Sequence, residues 1–320
     1  MEGRKLTMYD IQRRTLCLIL GLLLSFLPQT VTAETLPPLT PEGFLDTTAG
    51  LSEYVHEDAA QGNWLYLSPT LSIKIRRFEE PERPLVWFET EIKLRGDETL
   101  RSYVTRGSKP GSSLRSPVEI ARENRAVLAV TDDFFSHRLR NKQTQGIIIR
   151  NGQILSDKTY KANRGAYPNL ETIARFDDGS LKTYLSDAHP AREYLDMGAT
   201  DVYAFGPILV KDGQLGPHMQ DDSYYHYREP RCALGMVAPN HYIILTVRGR
   251  ADDSRGAYLI WLAERMLMLG AKEALNLDGG GSVALVFMGK IIDKPEVSAK
   301  NIRRVGSLIG FGKSESVPAE

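Results

Sequence analysis

Cysteine is nearly absent: the 320 residues contain two, Cys17 and Cys232. Cys17 falls inside an N-terminal leader pattern, which leaves one thiol in the body of the chain. That excludes an intramolecular disulfide framework and a zinc site built on cysteines. Cys232 on its own reads as a small buried core residue. An excess of one charge is lacking too: lysine plus arginine number 40, and aspartate plus glutamate number 40. A neutral body lacks the electrostatic footprint of a general nucleic-acid binder. The six histidines show no pair at metal-ligand spacing. A membrane span needs roughly 18 or more apolar residues in a row, and the apolar run 16–27 is cut off by Pro28 and Gln29. No Ser/Gly linker, charge block or solenoid-period repeat divides the chain.

The start of the chain carries an address instead of a fold. Arg13 and Arg14 precede the run from Leu16 to Leu27, and Val31-Thr32-Ala33 is a small-residue cleavage site, so residues 1–33 read as a signal peptide and the protein as secreted or held in the cell envelope or periplasm. Residues 34–62, with Pro37, Pro38 and Pro41, read as an extended arm. Residues 63–312 read as a single domain and 313–320 as a loose tail.

Within that domain, Trp64 to Leu67, Leu71 to Arg76, Leu85 to Leu94, Gly146 to Arg150, Val202 to Val210 and Tyr242 to Val247 have strand patterns. Asn151-Gly152 and Asp212-Gly213 read as hairpin turns. Ser116-Pro117-Val118-Glu119 opens a short helix ending near Asn124, with a capping serine, an N1 proline and a glutamate three residues on. A second helix spans Gly256 to Leu269, with Leu259, Ile260, Ala263, Met266 and Leu267 on one face and Gly270 at its end. Each helix leads into an apolar run that ends in acid: Ala126 to Val130 before Asp132-Asp133, and Ala274 to Leu277 before Asp278. This alternation predicts an α+β domain with a mixed β-sheet core and flanking helices, its carboxylates delivered at strand C-termini.

The most informative segment is Asn276-Leu277-Asp278-Gly279-Gly280-Gly281-Ser282. Three glycines let the backbone approach a ligand and turn amides toward anionic oxygen, with Asp278 and Ser282 at the rim. By itself it is equally a glycine-rich turn. Walker spacing is missing, and Ser282 has no nucleophile-elbow context.

Ala129-Val130-Thr131-Asp132-Asp133-Phe134-Phe135, Gly146 to Gly152, Phe205-Gly206-Pro207-Ile208-Leu209-Val210, Pro230-Arg231-Cys232-Ala233-Leu234-Gly235, Arg248-Gly249-Arg250 and Asn276 to Ser282 occur in one order. In that order they resemble the phosphodiester glycosidase family from about Ser68 to Gly312. Four positions depart from the family pattern: Thr131-Asp132 stands where Asn-Gly is usual, Arg248 where Asp is usual, and Cys232 where Thr is usual.

The resemblance implies hydrolysis of a sugar-1-phosphodiester at the anomeric carbon. Such chemistry must hold a phosphate and support positive charge on the sugar while placing water or a nucleophile. Arg231 and Arg250 are candidates for the phosphate, with the Gly279, Gly280 and Gly281 amides. Asp278 and Asp133 are the catalytic candidates, and Asn276, Ser282, Asp132 and His137 are candidates for substrate contact. His226, in an aromatic loop before Arg231, is a further candidate for stacking on a sugar. No cofactor is required, although Asp133 and Asp278 leave room for a divalent cation. The expected partner is a glycan or sugar-phosphodiester, with no nucleic acid and no integral membrane segment after the leader. Two rival readings stay open: a non-catalytic module that binds anionic glycans, and a phosphodiesterase that cuts P–O.

Overall fold

The computed structural model describes residues 36–107, 109–134, 146–158, 170–219, 227–294, 296–297 and 302–319. Residues from Pro38 onward form one compact unit. Its largest sheet has nine strands. Tyr54–Asp58, Asn63–Leu67, Leu71–Glu80 and Leu85–Leu94 make a meander, followed across the sheet by His241–Val247, Arg231–Ala238, Glu273–Asn276, Ile208–Lys211 and Gln214–Leu215. A five-stranded sheet runs Leu181–Tyr184, Glu171–Phe176, Ala199–Phe205, Gly146–Arg150, Gln153–Lys158. A second runs Lys290–Ile291, Leu285–Phe287, Ala126–Thr131, Ser307–Lys313, Arg101–Val104.

Period-two alternation sets which face of the large sheet is buried. Along Leu85–Leu94, Val86, Phe88, Ile92 and Leu94 enter the main core while Trp87, Glu89, Glu91 and Lys93 stay partly exposed. That core draws side chains from all three sheets, including Phe88 and Leu275, Ile173 and Tyr203, and Val130 and Phe311. On the opposite face of the large sheet, the helix Leu259–Met268 packs Leu259, Leu262, Ala263 and Met266 against Leu209, Ala233 and Leu245. Each fully buried leucine or isoleucine contributes about 1.5–3 kcal/mol relative to exposure.

The expected mixed sheet with flanking helices is not what forms. Every strand pair among the described residues is antiparallel. The described α-helices are three short ones, Pro117–Glu123, Ala191–Asp196 and Leu259–Met268. The architecture is predominantly β. A helix followed by a strand looks like a parallel crossover in sequence, but here each such strand lands between antiparallel neighbours. Ala126–Thr131 lies between Leu285–Phe287 and Ser307–Lys313, and Glu273–Asn276 between Arg231–Ala238 and Ile208–Lys211.

Local expectations fare differently. The Ser116 capping box is present, with Glu119 N donating to Ser116 Oγ at 3.1 Å and Ser116 N donating to Glu119 Oε2 at 2.8 Å. Asn151-Gly152 and Asp212-Gly213 close hairpins with positive φ at all four residues. The run from Val202 to Val210 divides at the cis bond Gly206-Pro207, so its two halves join different sheets. Part of the stretch read as an arm is a strand of the large sheet, and Val317, in the stretch read as a tail, is buried in the main core. Among the described residues no helix is long and apolar enough to cross a membrane.

Candidate active site

Two fully buried strands, Ala126–Thr131 and Glu273–Asn276, end side by side. Beyond them Asp278 N donates to the Asp132 carbonyl at 3.0 Å, and Leu277 N to the Cys232 carbonyl at 2.8 Å. The chain then turns sharply against Pro230. A β-carbon on Gly279 would fall 2.7 Å from the Pro230 oxygen, and Gly280 N donates to that oxygen at 2.9 Å. Gly280 has φ +60, and Gly280–Ser282 forms one turn of 3-10 helix. Among the described residues the Gly279 and Gly281 amides find no acceptor. Thr131 holds the far end, its Oγ1 donating to the Ser282 carbonyl at 2.9 Å and accepting from Ala284 N at 2.8 Å. Backbone pairing, not side-chain bulk, fixes the glycine run.

The acids divide into two environments. Asp278 is half-buried at the head of the glycine run. Asp132 and Asp133 turn inward, 1% and 0% exposed, onto Arg150, which is 2% exposed. Arg150 Nη2 lies 2.6 Å from Asp133 Oδ1 and 3.5 Å from Asp132 Oδ2, and its guanidinium sits 4.1 Å over the Tyr203 ring. Asp133 Oδ2 also accepts from Ala204 N at 2.8 Å, while Asp132 accepts from Phe134 N at 2.8 Å and from Ser307 Oγ. Burial pushes the Asp132 carboxyl up from 3.8 to about 7, helped by the charge of Asp133 and opposed by Arg150. Burial alone would lower Arg150, but Asp133 and Asp132 outweigh it and hold the guanidinium above its ordinary value.

Beside the glycines opens a cleft of about 220 Å³ bordered by Pro230, Arg248, Arg250, Gly280, Gly281, Asp293 and Lys294. Arg250 presses on Gly280, where a β-carbon would come within 3.1 Å of its Nη2. Its guanidinium also pairs with Glu229 at 2.8 Å. Arg303 lies against Gly281 and donates from Nη1 to Ser282 Oγ at 3.1 Å. Asp293 is 2% exposed and accepts from Leu285 N at 2.8 Å; burial raises its carboxyl.

Of the residues singled out in sequence, Gly280, Gly281 and Arg250 line this cleft, and Asp278, Gly279 and Ser282 adjoin them along the chain. Arg231 leaves it: its neighbour on the strand, Cys232, faces the main core, while Arg231 Nε and Nη2 donate to the carbonyls of Ala257 at 3.4 Å and Tyr227 at 3.1 Å. Burial lowers Arg231 from its ordinary value. Asn276 is 1% exposed, and its Nδ2 donates to the Gly206 carbonyl at 2.9 Å, tying the glycine run to the Gly206-Pro207 crossing. His137 and His226 lie outside the described residues. Among the described residues no group of three or more His, Cys, Asp or Glu side chains is arranged to hold a metal ion.

Sequence reasoning passed over Arg150, Asp293, Lys294 and Arg303. Arg150 carried a usable signal, an arginine closing the apolar run Gly146–Arg150 in which every residue is buried. Such a cation requires a buried acid nearby. Arg303 had no such mark among the chain's many arginines. Glu171 and His218 also escaped notice: the carboxylate is 1% exposed, lies 2.9 Å from His218 Nε2, and is raised by burial.

The family model for phosphodiester glycosidase matches residues 124–312, which include both strand ends, Arg150, the glycine run and Arg303. The chain belongs to the phosphodiester glycosidase family. It is 26% identical over 218 residues to N-acetylglucosamine-1-phosphodiester alpha-N-acetylglucosaminidase of Bos taurus, covering 63% of this chain and 40% of that enzyme. It is 30% identical over 185 residues to the SPbeta prophage-derived uncharacterized protein YomE of Bacillus subtilis (strain 168), covering 57% of this chain and 28% of that protein. The chain thus spans less than half of either relative. In fold it is similar to the catalytic domain of the zebrafish N-acetylglucosamine-1-phosphodiester alpha-N-acetylglucosaminidase auto-inhibited by its pro-peptide. That likeness has a TM-score of 0.58 at 16% identity, over 82% of this chain and 89% of that one.

Set within the phosphodiester glycosidase family, most of the departures in this chain are interior. Thr131, Asp132 and Cys232 are each 1% exposed or less, so their side chains do not narrow the cleft. Arg248 alone borders it, held by Glu296 at 2.7 Å and Asp253 at 3.4 Å.

Proposed function

We propose that this phosphodiester glycosidase is a secreted hydrolase that cleaves the glycosidic C–O bond of sugar-1-phosphodiesters in cell-envelope or exopolysaccharide glycans. The observation that carries the reading is a half-buried carboxylate, Asp278, just before Gly280 and Gly281, which line a cleft bordered by Arg248, Arg250 and Lys294. Phosphate is a weakly basic leaving group, so the reaction depends less on a general acid than ordinary glycoside hydrolysis does. What it needs is a grip on the phosphate and a carboxylate for the anomeric centre, as nucleophile, base or cation stabiliser. Arg250 and the Gly279 and Gly281 amides supply the first and Asp278 the second. Asp133, which was the other catalytic candidate, takes a positioning role in this scheme: with Asp132 it anchors Arg150 and so fixes the backbone that receives Asp278 N.

The interior placement of Thr131 and Asp132 favours turnover over simple glycan binding, because the departure from the family pattern leaves the cleft open. The leader with Arg13, Arg14 and the run from Leu16 to Leu27 supports export. The relative from Bos taurus makes an N-acetylglucosamine-1-phosphodiester the natural probe. Wild type is expected to release free N-acetylglucosamine from an α-N-acetylglucosamine-1-phosphodiester, and folded Asp278→Asn to lose at least about 100-fold in kcat. Equal rates for the two proteins would remove Asp278 from the chemistry. Release by neither, across a panel of sugar-1-phosphodiesters, would leave the binding-module reading in its place. A chelator arm reports whether a divalent cation takes part.

A further inference from the structure

Cations around the glycine run are not equivalent. Arg248 pairs with Glu296 and Asp253, Arg250 with Glu229 at 2.8 Å, and Lys294 with Asp293 at 3.7 Å while also donating to the Val283 carbonyl. Each of these charges is already met. Arg303 has no carboxylate partner among the described residues. Its neighbour Arg304 turns the other way, toward Glu119 at 3.7 Å. The Arg303 guanidinium lies so close to Gly281 that a β-carbon there would stand 3.0 Å from Nη2 and 3.2 Å from Cζ and Nε. One nitrogen, Nη1, is oriented by Ser282 Oγ, and the residue as a whole is exposed. The result is an oriented, uncompensated guanidinium on the backbone of the cleft floor, beside the unengaged Gly281 amide.

We propose that Arg303 is the anion anchor of the cleft and the residue that makes it select a phosphodiester monoanion over a neutral glycoside. The inference rests on the reading of the cleft as the phosphodiester site. The guanidinium fork matches two non-bridging phosphate oxygens, a geometry that lysine does not reproduce. Arg250 is already paired with Glu229 before any ligand arrives, so it adds a hydrogen bond but less net charge. Arg303 supplies the charge that a bound diester must find. A β-carbon at 281 would crowd the guanidinium and force it to shift.

The test uses inorganic phosphate as the probe, followed by isothermal titration calorimetry, on wild type, Arg303→Gln, Arg303→Lys and Arg304→Gln. Wild type and Arg304→Gln are expected to bind alike, Arg303→Gln to lose about 10-fold or more, and Arg303→Lys to fall between them. Because Arg303 is exposed, all four proteins should melt together, which separates lost binding from lost folding. With an α-N-acetylglucosamine-1-phosphodiester as substrate, Arg303→Gln should raise KM at least about 10-fold with a smaller effect on kcat. Phosphate binding by Arg303→Gln equal to wild type, or no phosphate binding by wild type, would overturn the proposal. Absence of turnover by a wild type that binds phosphate through Arg303 would instead count against the hydrolase reading and leave the anchor standing.

Discussion

Replacing Arg150 by methionine tests the buried charge cluster beneath the site. The guanidinium is 2% exposed and faces two carboxylates that are 1% and 0% exposed, at 3.5 and 2.6 Å. Methionine fills much of the volume but leaves Asp132 and Asp133 buried together without their cation. Breaking such a pair costs about 3–5 kcal/mol. In a domain of this size that lowers Tm by roughly 10 °C. The loss also has a pH signature. A carboxylate raised by burial binds its proton more tightly folded than unfolded, so stability falls as pH rises through that window. Burial raises the Asp132 carboxyl even with Arg150 in place, and removing the cation that opposes this raises it further. The deficit of Arg150→Met should therefore be larger at pH 8 than at pH 5. Circular-dichroism melts at both pH values measure it. A variant that melts with wild type, or whose deficit is the same at both pH values, would refute the cluster's role.

Other expectations follow from single sites. Asp132→Asn cannot ionise, so it should flatten the fall in wild-type stability between about pH 4 and pH 7, read from urea midpoints across that range. Ser116→Ala removes one of the two reciprocal bonds of the capping box and should cost about 1 kcal/mol in chemical denaturation. Burial pushes the Cys232 thiol well above its ordinary value and leaves it 0% exposed, so a thiol reagent at pH 8 should modify it only after denaturation. Gly281→Ala should displace Arg303 and weaken phosphate binding while leaving Tm within about 2 °C, since the displaced guanidinium is free to move into solvent.

Local rules were legible where a few neighbouring residues decide the outcome. Ser116 to Glu119 and the two hairpin dipeptides behave as their side chains dictate. The sheet arrangement was not legible, because antiparallel pairing of Ala126–Thr131 with Leu285–Phe287 and Ser307–Lys313 joins residues more than 150 positions apart. Nothing in a helix-then-strand order distinguishes that from a crossover. At the site, glycine content and the adjacent Asp278 marked the cleft floor. The direction of Asp132 and Asp133 was hidden, since two acids after an apolar run face solvent or the core depending on a cation elsewhere. That cation, Arg150, is 17 residues from Asp133. Arg231 misled for a related reason: strand alternation sends it to the face opposite Cys232, toward the carbonyls of Ala257 and Tyr227.

The central claim is that the cleft beside Asp278 breaks the bond between the anomeric carbon and oxygen. Hydrolysis of a sugar-1-phosphodiester by the wild-type protein in oxygen-18 water, followed by mass spectrometry of both products, tests it most directly. The account predicts the heavy oxygen on C1 of the released sugar and an unlabelled phosphomonoester. Label in the phosphate with an unlabelled sugar would contradict it and identify a phosphodiesterase that cuts P–O.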